Sequence, residues 1–301
     1  GRPVFSSADA GTVSVDQGSV QLTGARAANY RLVWGTASAT ITPAPLTVTA
    51  NNDARFYSLA DDTNYAGVRY SGFVGGQTAA VLTGTSTVTR DRSVQLAADS
   101  NSVDTQDTAA TYTGVLEPSR VSSNNYTITY VNGNYTIVPA GELLVKVANT
   151  SATYGSAPIF TLTAAGYMNN ALVLTDLLAA SQASVIGNLV TVTDGATPTP
   201  ATVASFNLGA VSPSVSTSGA LKVGAYNLGT TLISRTSTSF SNTINVVGAY
   251  EVTPKQVTAS ASGVTKVYDG NTAAGSATLA PVGLVSGTVN SVVVTDTVTL
   301  S

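Results

Sequence analysis

Few residues in this sequence have the types and spacing to do chemistry. The adjacent carboxylates of Asp61-Asp62-Thr63-Asn64 offer hard oxygen ligands for a divalent cation such as calcium. Calcium sites recruit more ligands at defined spacing, so we read this stretch as a solvated loop and assign no metal ligand. Glu117, Glu142 and Glu251 are the only glutamates. A glycosidase pair needs two carboxyl groups about 5–9.5 Å apart in a cleft, and none of the three lies in a motif. The sequence has no histidine and no cysteine. Ser-His-Asp and Cys-His arrangements and most zinc sites therefore cannot be built. We expect no enzyme, no catalytic residue and no cofactor. Trp34, the single tryptophan, has the flat face of a sugar platform, but its place in an alternating row favours a core or junction aromatic.

The elements that would position these residues follow a repeat. Pro43, Pro139 and Pro254 each have an apolar residue two positions before them: Ile41, Ile137 and Val252. Each precedes an alternating run, Leu46/Val48/Ala50, Leu143/Val145/Val147 and Val257/Ala259/Ala261, and period two signals strand. Tyr57, Tyr154 and Tyr268 follow at near-constant distance, with one residue inserted in the middle copy. Gly72-Phe73-Val74, Gly166-Tyr167-Met168 and Gly283-Leu284-Val285 recur further on, and Asn29-Tyr30 and Asn125-Tyr126 precede the first two prolines. The pattern delimits two whole modules, 46–140 and 141–255, between part-modules 1–45 and 256–301, as in a piece of a longer chain. Their size suits small sandwich domains. Pro43 and Pro45 cannot donate ladder hydrogen bonds, so a short, stiff connection is expected there.

Only 10% of residues are charged, against about 25% in an average soluble protein, and the net charge is −3. A nucleic-acid partner would require a basic face. No apolar run approaches the roughly 20 residues of a membrane helix, and no signal peptide is recognisable. The lack of cysteine accords with export as an unfolded chain.

Threonine, valine and tyrosine mark strands at 11–15, 20–23 and 30–34, with Tyr30/Leu32/Trp34 equivalent to Tyr126/Ile128/Tyr130. Asn132-Gly133 lies between two alternating runs, 126–131 and 134–137, and predicts a hairpin with a primed turn. Asn170–Ala183, with Leu174, Leu177 and Leu178 on one face, predicts a short helix capping one end of the 141–255 module. Arg90-Asp91-Arg92 reads as an exposed turn. Residues 99–108, Asp194-Gly195, Thr197-Pro198-Thr199-Pro200 and Asp269-Gly270 read as loops or turns. Asn125, Asn134 and Asn149 begin Asn-x-Ser/Thr triplets, which this composition produces by chance. The extra length of 141–255 falls after Gly166, so any specialisation of that module is expected there.

Val267-Tyr268-Asp269-Gly270 resembles the signature of YDG-type repeats. Ala8-Asp9-Ala10-Gly11, Leu22-Thr23-Gly24-Ala25, Asn29-Tyr30 and the run from Ile41 to Val48 resemble their closing half. The stretch from Gly72-Phe73-Val74 through Leu82-Thr83-Gly84 is similar to the middle of MBG-type repeats, whereas 141–255 keeps Tyr154-Gly155 and diverges in its middle. The resemblance covers nearly the whole chain. It implies tandem modules of large bacterial surface adhesins, filamentous-haemagglutinin-like proteins exported by two-partner secretion. The expected fold is all-β: Ig-like β-sandwich modules in an extended rod, with the short helix noted above. The expected function is a stalk segment at the cell surface or in the biofilm matrix. Its expected partners are neighbouring repeats, with matrix polysaccharide or other adhesin chains as alternatives. The resemblance supplies no site residue.

Overall fold

The computed structural model describes residues 2–93, 108–194, 201–263, 265, 267–268 and 278–300. The expected loops over 99–107, at Gly195, over 197–200 and at Asp269-Gly270 lie outside the described residues.

The elements in chain order are β1 (Val4–Phe5), β2 (Gly11–Asp16), β3 (Ser38–Ile41), β4 (Ala44–Ala50), β5 (Asp53–Phe56), β6 (Val68–Ser71), β7 (Val88–Arg90) and β8 (Thr111–Pro118). There follow β9 (Tyr126–Val131), β10 (Gly133–Val138), β11 (Leu143–Val147), β12 (Thr150–Thr153), β13 (Leu162–Met168), β14 (Leu174–Asp176), β15 (Ala183–Ile186) and β16 (Leu189–Thr193). The last are β17 (Thr202–Ala210), β18 (Gly224–Arg235), β19 (Ile244–Val247), β20 (Ala249–Thr253), β21 (Thr258–Ser262), β22 (Thr278–Val282), β23 (Ser286–Val289) and β24 (Val292–Thr295). Among the described residues the helical pieces are single 3-10 turns at Ala27–Asn29 and Ala79–Val81, and no helix is long and apolar enough to cross a membrane. The fold is all-β.

The chain divides into two compact units. The first comprises Gly1–Ala50, Gly67–Asp91 and Thr113–Gly133. Here β2 lies between β1 and β3, both antiparallel to it, and β4 lies between antiparallel β6 and parallel β9. Leu46, Val48 and Ala50 are buried on one face of β4, as the alternation predicts. Tyr126 stacks edge-on against Phe73 at 5.5 Å, and its hydroxyl donates to Gln77 Oε1 at 2.5 Å. The Asn125 side chain accepts from Ala10 N–H (2.7 Å) and donates to Asp9 Oδ1 (2.8 Å). Asn125 thus anchors the Asp9-Ala10 segment to the start of β9, and Tyr126 holds the stretch from Phe73 to Gln77.

The second unit comprises Asn51–Ala66, Arg92–Tyr112 and Asn134–Ser301. Most of it is a two-layer sandwich. One sheet runs β14-β13-β11-β19 and the other β12-β20-β18-β17-β16-β15. Leu143, Val145 and Val147 from the first sheet pack with Val190, Phe206, Leu208 and Val252 from the second in one buried cluster. Towards the C-terminal side β21 pairs antiparallel with β22, and β23 with β24.

Three local expectations fail, each for a stated reason. The Asn132-Gly133 hairpin does not form: β9 pairs in parallel with β4, and β10 in parallel with β5. Gly133 has no left-handed backbone. The chain changes sheets there, because β4 and β5, themselves broken at Asn51-Asn52, supply the backbone partners that a hairpin would otherwise supply. In module 141–255 the same device recurs: β11 pairs in parallel with β19, and β12 with β20. Asn52 Oδ1 accepts from Asn134 N–H at 2.8 Å, and Asn149 Oδ1 from Ala249 N–H at 3.1 Å, at equivalent breaks.

The helix over Asn170–Ala183 is absent. Asn169 Oδ1 accepts from the Ala171 and Val173 N–H groups, and Asp176 Oδ1 from those of Leu178 and Ala179. One turn closes at Ala180 N–H to Asp176 O, and Ser181, at φ 57°, ends it. These Asx turns satisfy the backbone locally and compete with helix propagation. Leu174 instead enters β14 opposite Met168.

The strands at 20–23 and 30–34 are also absent. Tyr30 is 73% exposed. Alternation forms a strand only where a neighbour takes up its backbone groups; the strand that closes this sheet is Ser38–Ile41. Likewise β21 is exposed along its whole length, so the alternation of Val257/Ala259/Ala261 buries no face.

Candidate functional site

Six charged side chains of the second unit, Asp53, Arg55, Asp61, Asp62, Arg92 and Lys146, gather around β5, whose four residues are all buried. Arg55 on that strand directs Nε to Asp61 Oδ1 at 2.6 Å, with the side chains only 3% and 6% exposed. Arg92 Nη2 reaches Asp61 Oδ2 at 2.6 Å. The Tyr65 hydroxyl donates to Oδ2 at 2.8 Å and the Tyr135 hydroxyl to Oδ1 at 2.9 Å. The rings of those tyrosines meet edge-on at 5.2 Å. Burial, and then the charge and hydrogen bond of Asp61, push the Tyr135 hydroxyl above its ordinary pKa. The loop bringing these groups together takes left-handed backbone at Ser58, Asn64 and Tyr65, a conformation that costs energy for a tyrosine and persists only where its surroundings enforce it.

Asp62 faces the other way. Lys146 on β11 pairs with Asp62 Oδ2 at 2.5 Å and with Asp53 Oδ1 at 3.0 Å. The Asp53 side chain is 4% exposed, Lys146 18% and Asp62 61%. Asp53 Oδ1 also accepts the Ala54 N–H at 2.7 Å. Burial raises the Asp53 pKa despite the ammonium beside it. For Lys146, burial acts downward, but the attraction of Asp53 and Asp62 outweighs it and the net shift is upward.

This arrangement corrects two readings. The Asp61-Asp62-Thr63-Asn64 stretch is a solvated loop at Asp62, Thr63 and Asn64, as expected, but not at Asp61, whose carboxylate is buried against two arginines and two tyrosines. Among the described residues no three acidic side chains converge as metal ligands would. Nor is Arg90-Asp91-Arg92 an exposed turn: Arg90 ends β7, and Arg92 belongs to the Asp61 cluster. No sequence signal marks Arg55, Arg92 or Lys146. Asn52 and Asn149 carried one, an asparagine two residues after the last apolar position of an alternating run. Glu142 accepts from Asn245 Nδ2 at 2.8 Å, Glu117 lies in β8 opposite Thr89, and Glu251 lies within β20. Trp34 sits in no strand and donates its indole N–H to Val15 O at 2.8 Å.

Around the ion pairs, within the second unit, Ala54, Phe56 and Val138 pack against Leu144, Met168 and Val247. β11 serves both sides: Leu143, Val145 and Val147 face the sandwich core, while Leu144 and Lys146 face this junction. Ser58 follows Tyr57 with φ 69° and places Oγ 3.7 Å from Met168 Sδ. The next junction repeats the geometry. Gly155 follows Tyr154 with φ 82°, and a Cβ there would lie 2.6 Å from Val285. Met168 and Val285 are equivalent third residues of the Gly-x-apolar motif.

The Tyr154 hydroxyl donates to Asp296 Oδ2, while Thr217 Oγ1 and Ser218 N–H donate to Oδ1 at 3.0 and 3.1 Å. These bonds, Tyr154's first, hold the Asp296 carboxyl at about 2, below its ordinary 3.8. A depressed folded pKa gives stability that is present above 3.8 and is lost as pH falls through about 2. Protease cleavage between Ser286 and Asp296 should therefore accelerate as pH falls through that window in an acid-protease assay. Asp296→Asn should be cleaved readily even at neutral pH, and equal resistance at both pH values would refute the contact.

Clefts open among the described residues of this unit. One, of about 410 Å³, lies beside the ion pairs and is lined by Arg55, Phe56, Asp62, Leu144, Lys146 and Asp176. Another, about 790 Å³, lies in the extra length of module 141–255 and is lined by Tyr167, Asn169, Asn170, Thr175, Arg235 and Phe240.

No curated protein and no solved structure is significantly similar to this chain. Two stretches match known repeat-domain families: residues 253–301 the YDG domain, and residues 46–136 the MBG domain of the YGX type.

Proposed function

We propose that this chain is a non-catalytic structural segment of a secreted bacterial adhesin, extended at the cell surface or in the biofilm matrix, whose repeats lend reach to a binding region elsewhere. The observation that carries this reading is the recurring junction. A tyrosine is followed by a left-handed residue that packs on the Gly-x-apolar motif of the next module, at Ser58–Met168 and again at Gly155–Val285. Such a contact limits swing between neighbours, as a load-bearing or spacing element needs. Small-angle scattering tests it: the pair-distance distribution should have the long tail of an elongated particle, and a compact globular profile would sink the proposal.

A second reading, binding of a matrix polysaccharide, is favoured by the cleft of about 790 Å³, where Tyr167 and Arg235 stand among amide and hydroxyl side chains. That is the chemistry of sugar recognition, and the volume suits a ligand pocket. Titration with polysaccharide from the organism's own matrix should saturate, and Tyr167→Ala should abolish the signal. A flat titration removes this reading.

A further inference from the structure

Lys146, Asp53 and Asp62 form a group that the stalk reading does not require. We infer that Lys146 and Asp53 condense into an intramolecular amide that covalently fastens the two whole modules, with Asp62 as the catalytic proton carrier. The amine nitrogen lies 3.0 Å from Asp53 Oδ1 and 2.5 Å from Asp62 Oδ2. The bond would join β5, in the region matched by the MBG domain, to β11 in the next module.

The surroundings suit that reaction. Asp53 is buried and Lys146 mostly so, and the Ala54 N–H points at the carboxyl oxygen that would carry negative charge in a tetrahedral intermediate. Holding amine and carboxyl in contact replaces a bimolecular encounter by a unimolecular one. Burial favours the neutral acid of Asp53, the form that has a leaving hydroxyl.

The step balances without an added reagent. Proton transfer within the ion pair yields neutral amine and neutral acid. Lys146 Nζ attacks Asp53 Cγ, forming the C–N bond, and Asp62 takes a proton from nitrogen. Asp62 returns it to the departing hydroxyl, the C–O bond breaks, and one water leaves for each amide formed. A cleft of about 250 Å³ lined by Asp53, Asp62, Tyr65 and Lys146 gives that water an exit. Both carboxylates favour the charged ammonium, so the reaction is slow; a bond formed once per molecule needs no speed.

Intact-mass spectrometry of the purified chain, held folded at neutral pH for days, tests the inference. The expected mass is that of the sequence less one water, with tandem spectra showing a branched peptide that joins Asp53 to Lys146. Lys146→Arg, which keeps the ion pairs but forms no such amide, should have the full mass. Asp62→Asn, altering an exposed side chain, should fold yet stay at full mass many times longer. A full mass for the unaltered chain overturns the inference, as does a water loss that persists in Lys146→Arg, which would mark a cyclic imide at Asp53.

Discussion

Replacing Asp61 by alanine is expected to lower the stability of the unit containing it by about 3–5 kcal/mol, the cost of stranding a buried charge. The reason lies in the asymmetry of its partners. Arg92 is 31% exposed and can turn to water, but the Arg55 side chain is 3% exposed and held within β5. Arg55 would stay buried and lose this anion, and the Tyr65 and Tyr135 hydroxyls would lose this acceptor. Asp61→Asn, which keeps an acceptor but no charge, should fall between the unaltered chain and Asp61→Ala. Guanidinium unfolding followed by tyrosine circular dichroism measures both. Because the Arg55 pair is buried, the loss should persist at high salt, where exposed pairs are screened. A loss below about 1 kcal/mol, within the range of exposed ion pairs, would mean that the cluster is solvated after all.

The second large effect is expected in the sandwich of module 141–255. Phe206 on β17 is 0% exposed and packs among Val190, Leu208, Leu228 and Val252. Phe206→Ala should cost about 3–5 kcal/mol, a transfer term plus the cavity left in a core that relaxes only partly. Ile186, 80% exposed at the end of β15, provides the control: Ile186→Ala should change the same unfolding midpoint by less than about 0.5 kcal/mol. Equal losses at the two positions would contradict the buried cluster.

Much of the fold was legible because it depends on local, periodic information. Leu46/Val48/Ala50 and Leu143/Val145/Val147 are buried on the expected faces, and Tyr126, Ile128 and Tyr130 point inward while the threonines of β9 face out. Side-chain direction in a strand has period two, so alternation alone sets it. The pause between β3 and β4 at Thr42-Pro43 accords with the missing N–H of Pro43, whereas Pro45, equally without one, lies inside β4 opposite Thr127.

The candidate site was far less legible. Asp61-Asp62 reads as a polar loop because composition carries no information about what lies opposite it. Arg55, Arg92, Tyr135 and Lys146 are scattered along the chain, and only folding brings them within hydrogen-bonding distance of those carboxylates. The leucines of 174–178 fit a helical stripe as well as a strand and a turn, and the Asx bonds of Asn169 and Asp176 tip the balance.

The sequence by itself determined that this is an all-β protein of repeated modules, where several of its strands lie (β2, β4, β9, β10 and β11) and which residues of β4 and β11 face inward, since these depend on residue type and spacing along one strand. Only the tertiary structure decided which strands pair. Asn-Gly favours a hairpin locally, but β4 and β5 offered β9 and β10 parallel partners instead, and a ladder of several bonds outweighs one turn. It also decided that Asp61 is buried and that Lys146 lies between Asp53 and Asp62, because charge pairing depends on distance through space rather than on separation along the chain.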